Sequence, residues 1–288
     1  MRSRLIRRLL AAVYTQPVRR VVVKALSHIH MSTCTRLHTG ALLEVDLDSP
    51  VGRSIWFRGT YETDVEAYLR SILQRGDIFI DIGANVGYFS IIASELVGQE
   101  GRVYAFEPCE RIYRLLSRSV ELNQLSNVIC AQLAVGDKAS FVRFNDMPAS
   151  GFSHIEGDTD TRKAVADQSS TPRAGYSVQV VRLDDHLKPK INQQIRAIKV
   201  DVEGYEYAVL VSAEQLISTH LPDLVVEVQD YTLKRYHQSP IDVFSFLERF
   251  GYSGYEPKSM RQVGPAHCYG QPGPCNVIFT TRQYGGDG

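Results

Sequence analysis

The stretch from Gly76 to Ser90 constrains the fold more than any other part of the chain. An apolar run, Ile78 to Ile82, reads as a short buried strand; it ends in Gly83 and Gly87 and passes into the helical pattern Ser90-Ile91-Ile92-Ala93. Strand, glycine turn, helix is the opening unit of a doubly wound sheet, and ligands bind where such strands end. Buried strands and amphipathic helices alternate downstream. The expected fold is therefore α/β, a doubly wound, mostly parallel Rossmann-like sheet of seven strands with helices on both faces. A chain of 288 residues with 44% hydrophobic content can bury one large core of this kind.

The glycine spacing restricts the ligand. A pyrophosphate loop needs G-x-G-x-x-G, with bare amides packed against two phosphates. Here the spacing is Gly83-x-x-x-Gly87, with Asp81 at the mouth of the turn. That carboxylate repels a pyrophosphate and attracts a cation, such as an amino group beside a sulfonium. A second buried strand, Val103 to Phe106, ends in Glu107-Pro108, where an acid can accept hydrogen bonds from both hydroxyls of a ribose. Asp81 and Glu107 together describe an adenosine-type ligand bearing positive charge, which is S-adenosylmethionine.

A second stretch, Ala197 to Glu206, carries the chemistry. Strand alternation puts Ile198, Val200 and Val202 on one side and Lys199, Asp201 and Glu203 on the other. Charges on so apolar a strand are expensive to bury unless paired or used. Gly204 turns the chain, Glu206 enters the first turn of a helix, and a further strand, Leu224 to Val228, carries Glu227. In a doubly wound sheet Asp201, Glu203 and Glu227 converge near the end of the first strand.

The remaining segments set the boundaries. Residues 1–36 form a basic amphipathic segment: the chain holds eight of its 32 Lys/Arg residues and no acid before Glu44, so the remainder carries a formal charge of −8 although the whole is neutral. No run there approaches the roughly 20 apolar residues of a membrane span. The segment is expected to pack on the main domain, with peripheral membrane contact through residues 1–30 as the alternative. Residues 37–75 read as a hairpin, Leu42–Leu47 and Ser54–Phe57 about a Pro50-Val51-Gly52 turn, then a helix from Val65 to Gln74 capped by Thr63 or Asp64. Tyr61 and Glu62 serve either as ligand contacts or as turn residues. The main domain runs from 76 to 282, with a third strand from Val128 to Val135, whose end faces the base of a bound nucleoside, and a lid-like insertion at 145–176. Five scattered cysteines make a poor disulfide framework and fit a reducing, cytoplasmic setting; His267, Cys268 and Cys275 are not taken as metal ligands. Zero net charge gives no pull towards nucleic acid.

These motifs carry a resemblance. Gly76 to Gly87, Ala105-Phe106-Glu107-Pro108, Leu133-Ala134-Val135-Gly136-Asp137 and above all Lys199-Val200-Asp201-Val202-Glu203-Gly204 resemble the FkbM family of S-adenosylmethionine-dependent methyltransferases, across residues 60 to 280. The resemblance implies O-methylation of a hydroxyl on a sugar, polyketide or related metabolite. It implies that Asp81, Gly83, Asn85, Gly87 and Glu107 hold the cofactor, with the flanking Tyr88, Pro108 and Val135, and that Asp201 lies near the transferring methyl. Asp201 is then the expected base, with Glu203 or Glu227 orienting it or the acceptor. A divalent metal on the same acids is the less favoured use of them. The rival readings are an NAD- or nucleotide-sugar-dependent enzyme on the same sheet, and a non-catalytic membrane-surface protein.

Overall fold

The structure is a computed structural model that describes residues 32–145, 154–156, 176–188, 191, 193–271 and 273–284. The basic segment up to residue 31 and most of the expected lid lie outside the described residues.

The chain opens with an antiparallel hairpin, β1 (Ser32–Arg36) and β2 (Leu42–Asp46). It forms a two-stranded sheet of its own and is tied to the helix Glu110–Leu122 and its C-cap: the amides of Leu42 and Glu44 donate to Asn123 Oδ1 (2.8 Å) and Ser119 Oγ (2.9 Å). The expected partner strand, Ser54–Phe57, is instead part of helix α1 (Pro50–Arg58). Local capping overrides the strand preference of Ile55-Trp56-Phe57. Ser49 Oγ accepts from the Gly52 amide, Pro50 occupies the first turn, and Gly59 closes the end in a left-handed conformation. Helix α2 (Thr63–Ile72) follows, its N-cap Glu62 at φ 40° and making no side-chain cap, so neither Thr63 nor Asp64 plays that part.

The core then alternates as expected: β3 (Ile78–Ile82), α3 (Tyr88–Val97), β4 (Arg102–Phe106), α4 (Glu110–Leu122) and β5 (Val128–Ala131). The expected third strand breaks at Gln132. Its second half, β6 (Ala134–Val135), leaves the main sheet to pair with β9 (Tyr176–Val181) in a four-stranded sheet completed by β7 (Ser140–Asn145) and β8 (His154–Glu156). Helix α5 (Leu183–Leu187), β10 (Ile195–Val200), α6 (Glu206–Ser212), α7 (Glu214–His220) and β11 (Asp223–Glu227) return to the main sheet. After α8 (Asp230–Leu233) and α9 (Pro240–Glu248) come three antiparallel strands, β12 (Ser253–Tyr255), β13 (Gln262–Val263) and β14 (Asn276–Thr280).

The main sheet has the order β13-β12-β14-β11-β10-β3-β4-β5, parallel from β11 to β5. It holds eight strands among the described residues, one more than expected, the two-residue β13 being too short to leave a strand pattern in the sequence. Strand alternation divides the core into two layers. Phe79, Val103, Ala105, Ala197 and Val225 pack under α2, α3 and α4 on one face. Ile78, Ile80, Phe106, Ile198, Val200 and Val226 pack under α6, α7 and α9 on the other. The order reverses between β3 and β10, and their C-terminal ends open the crevice where such sheets bind ligands.

Candidate functional site

Local backbone geometry at the end of β3 builds the floor of this crevice. Gly83, Asn85 and Gly87 have φ of 77°, 51° and 91°, three left-handed residues within five positions. The amides of Gly83 and Ala84 both donate to Phe106 O at 3.0 Å, so the turn is clamped to the end of β4. No side chain fits at Gly83, where a Cβ would lie 1.8 Å from the carbonyl oxygen of Asp201. On the other side, the Asp201 amide donates to Ile82 O at 3.0 Å. The turn and the end of β10 are in direct contact.

Glu107 closes the second strand. Its two carboxylate oxygens accept the amides of Asn85 (3.0 Å) and Cys109 (2.9 Å). Burial pushes its pKa up to about 7, against the pull of those two hydrogen bonds. Opposite, Lys199 is 2% exposed, bonded to Asp201 Oδ2 at 2.7 Å and set over the Phe89 ring at 5.0 Å. Burial acts to lower its pKa, and Asp201, Glu62 and Asp81 overcome it, so the ammonium keeps its proton.

Beyond Val200 the strand ends, and alternation no longer fixes Glu203. The chain instead takes two left-handed residues in succession, Glu203 (φ 59°) and Gly204 (φ 112°). A side chain at Gly204 would meet Thr232 O at 2.3 Å. Glu206 ties the bend down, accepting the amides of Gly204 (2.9 Å) and Val202 (3.1 Å). The result brings oxygens of Asp201, Glu203 and Glu227 within 4.8 Å of one another, within reach of a single hard cation or of a bound hydroxyl. Burial first, then Asp201, raises Glu203 to about 8 and Glu227 to about 10. At neutral pH these two are proton-bearing, whereas Asp201 faces the Lys199 ammonium.

A cavity of about 460 Å³ collects these groups. Gly83, Asn85, Tyr88, Glu107, Pro108, Val135, Asp201, Glu203 and Glu227, all expected from the sequence, line it. Asp81 and Gly87 do not. Asp81 is 1% exposed and stands one layer behind the wall, accepting from Ser90 Oγ at 2.6 Å, with its Oδ1 unpartnered. It lies directly across the ladder from Lys199 because the two residues are register partners on β3 and β10. Gly87 heads α3, and a Cβ there would strike Leu116 Cδ1 at 2.6 Å. Tyr61 lines the cavity and Glu62 sits behind it. Sequence reading missed Gln229, Tyr236 and Pro274, and gave no role to Tyr205, which lies within the stretch Ala197 to Glu206. Tyr205 and Tyr236 meet edge to face at 5.0 Å on one wall. Of these, only Tyr205 had a local signal, its place directly after the glycine bend.

The wall has one cation, Lys199, against four carboxyl groups, Glu107, Asp201, Glu203 and Glu227, among the described residues. Such crowding has a measurable consequence. A carboxyl group whose folded pKa is raised from 4.5 stabilises fully below 4.5, and that contribution is lost as pH rises through the folded value. For Glu227 the window runs from about 4.5 to about 10. Glu227→Gln is therefore expected to make the protein more stable at pH 9 by at least ~1.4 kcal/mol, the equivalent of one pKa unit, with little change at pH 5. Denaturant titrations at both pH values check this; an equal loss at both would refute it.

A protein-family profile described as methyltransferase FkbM domain matches residues 81–253. "Methyltransferase 1" of Beauveria bassiana is 28% identical over 160 residues, covering 52% of this chain and 64% of that protein. The 31-O-demethyl-FK506 methyltransferase FkbM of Streptomyces tacrolimicus is 28% identical over 177 residues, covering 55% and 67%. The chain thus spans about two thirds of the length of these relatives. A crystal structure of methyltransferase FkbM from Methylobacillus flagellatus KT overlays with a TM-score of 0.40 at 17% identity, covering 75% of this chain and 50% of that one. No helix among the described residues is long and apolar enough to cross a membrane.

Proposed function

Because this chain belongs to the methyltransferase FkbM family, we propose that it transfers a methyl group from S-adenosylmethionine to a hydroxyl of a small-molecule acceptor. The observation that carries the reading is a cavity at the topological switch point walled by four carboxyl groups and by one ammonium already paired to Asp201: burial and crowding keep Glu203 and Glu227 protonated at neutral pH, and a ligand that brings positive charge relieves that crowding whereas an anion adds to it. A pyrophosphate would meet Glu107 and the acidic cluster with no free cation on the wall.

The residues fit the donor. Glu107 has already committed one lone pair of each oxygen to a backbone amide, which fixes the carboxylate while leaving the remaining lone pairs for ribose hydroxyls. The turn Gly83–Gly87 offers bare backbone beneath the amino-acid portion. Asp81, with its unpartnered Oδ1, acts from behind by holding the Lys199–Asp201 pair in place and keeping the local potential negative. When bound, the sulfonium supplies an already activated methyl group. What remains for the protein is to align the acceptor oxygen with it, exclude water and take one proton.

Asp201 takes that proton, since it lines the cavity and is held by Lys199 at 2.7 Å. Glu203 and Glu227, proton-bearing at neutral pH, donate hydrogen bonds to the acceptor and orient it. Tyr205 and Tyr236 present ring faces or edges to its body. Paired carboxyl groups with an aromatic wall suit a polyol or polyketide hydroxyl; the Streptomyces relative is named for 31-O-demethyl-FK506. Peripheral membrane contact through residues 1–30 remains a separate proposal, checked by vesicle pelleting of the full chain and of a chain lacking them.

Calorimetry with S-adenosylmethionine and with NAD is the first test. Saturable binding of the former alone is expected; preference for NAD would overturn the reading. Release of S-adenosylhomocysteine in the presence of hydroxyl acceptors tests turnover, and metabolites lighter by one methyl group in cells lacking the protein would identify the acceptor. In this reading activity persists in chelator, and a loss that Mg²⁺ restores would assign the three acids to a metal.

A further inference from the structure

Cys268 and Cys275 lie six intervening residues apart in a chain whose cysteines otherwise look scattered. The fold brings their sulfurs to 3.2 Å. Cys268 ends a 3-10 turn, Pro265–Cys268, and Cys275 directly precedes β14; both are free thiols, 1% and 5% exposed. They are packed in the core layer beneath α9. Closing the gap to a covalent S–S bond requires about 1 Å of approach, within reach of side-chain rotation.

The segment between them borders the cavity. Gly273 and Pro274 form part of its wall. Gln229 Nε2 donates to Gly273 O at 3.2 Å, and the Val228 amide donates to Cys275 O at 2.7 Å. This segment is thereby joined to the strand end that carries Glu227. Its outer side is solvent-facing, with Tyr269 39% exposed, and Gly270 is left-handed at φ 69°. Reaction of the buried sulfurs with a dissolved oxidant requires local opening of this segment.

We propose that Cys268 and Cys275 are a disulfide site, and that oxidation of the pair fixes the Gly273–Pro274 wall of the cavity. The oxidant is a small disulfide such as oxidised glutathione. The two sulfurs share one hydrogen bond, so the thiolate of one is stabilised by the S–H of the other. The Cys275 thiolate attacks one sulfur of the oxidant, breaking its S–S bond and expelling one small thiolate. Cys268 then gives up its proton and attacks Cys275 Sγ, breaking the mixed disulfide and expelling the second. The protein loses two electrons and two protons, and one small disulfide becomes two thiols. The site is independent of the methyltransferase reading and survives its failure.

Both cysteines fall in one tryptic peptide, Gln262 to Arg282, that contains no other cysteine. The full chain is equilibrated at pH 8 with oxidised glutathione, then denatured, alkylated and digested. The expected result is that this peptide takes up no alkyl groups and weighs about 2 Da less than its dithiol form, with reduction restoring two labels. Two labels after oxidation, or a cross-link from either residue to another cysteine, would overturn the site. An eight-residue ring is expected to raise Tm by about 5 °C. The rise should be absent in Cys268→Ser and in Cys275→Ser. A cross-linked protein with unchanged Tm would overturn the proposed restraint on the wall.

Discussion

Asp201→Asn is expected to lower kcat by 10²- to 10⁴-fold, the range for loss of a positioned general base, while leaving the affinity for S-adenosylmethionine within a factor of a few. The substitution keeps the shape and removes only the proton-accepting charge. Donor affinity should persist because Glu107 and the Gly83–Gly87 turn are untouched, and Asp201 meets that turn through backbone contacts that Asn retains. Lys199 loses its closest carboxylate but still faces Asp81 and Glu62, so the fold should survive with a lower Tm. Methyl transfer under saturating donor, set beside donor binding by calorimetry, separates these effects. A variant that turns over at the parental rate would transfer the base role to Glu203 or Glu227. Equal losses of rate and donor affinity would recast Asp201 as a binding residue.

Lys199→Met should be the most damaging change to stability, on the order of 3–5 kcal/mol. Met reproduces the apolar stem and deletes the charge, so the loss reports electrostatics rather than a cavity. The ammonium is buried among carboxyl groups: Asp201 at 2.7 Å, Asp81 across the ladder, and Glu62 behind Tyr61. Asp81 and Glu62 are already raised by burial, and Lys199 is the main group lowering them. Without it they must protonate or remain as unpaired buried charge. Adding Asp81→Asn should restore part of the loss, since it removes one orphaned carboxylate. Equilibrium unfolding of both variants is the measurement. A loss below about 1 kcal/mol in Lys199→Met would mean the pair is solvated enough to be dispensable.

Local and tertiary information contributed unequally to what the sequence disclosed. The strands Ile78–Ile82 and Asp223–Glu227 were legible because both faces of a central parallel strand are buried, which leaves a continuous apolar run. The glycine turn and Glu107 were legible because their conformation and chemistry depend on neighbours in sequence. Helix Pro50–Arg58 was not: Pro and Gly suggest a turn until the cap at Ser49 and the left-handed stop at Gly59 are seen together. The break at Gln132 was hidden because Ala134 and Val135 remain buried and merely change partners, to Val180 and Val181. Asp81 has strand alternation that puts it opposite Lys199, yet its distance behind the cavity wall depends on how α3 packs over it. Tyr236 and Pro274 approach the site from segments far along the chain, and nothing in their own surroundings marks them. Cysteine spacing gave the opposite error, since a pair seven positions apart looked incidental until the fold turned its sulfurs towards each other.

The contact between Gly83 and the Asp201 carbonyl has a consequence for attempts to retune this protein. With Gly83 and Asp201 in their proposed roles, grip on the donor and placement of the proton acceptor are mechanically one unit, and any side chain added at that glycine displaces both at once. Variation that admits a larger alkyl donor or a new acceptor must therefore enter through other lining residues such as Tyr205, Tyr236 and Pro274. A mutant library confined to those positions should yield altered selectivity with intact catalysis, whereas one centred on the glycine turn should yield mainly inactive protein.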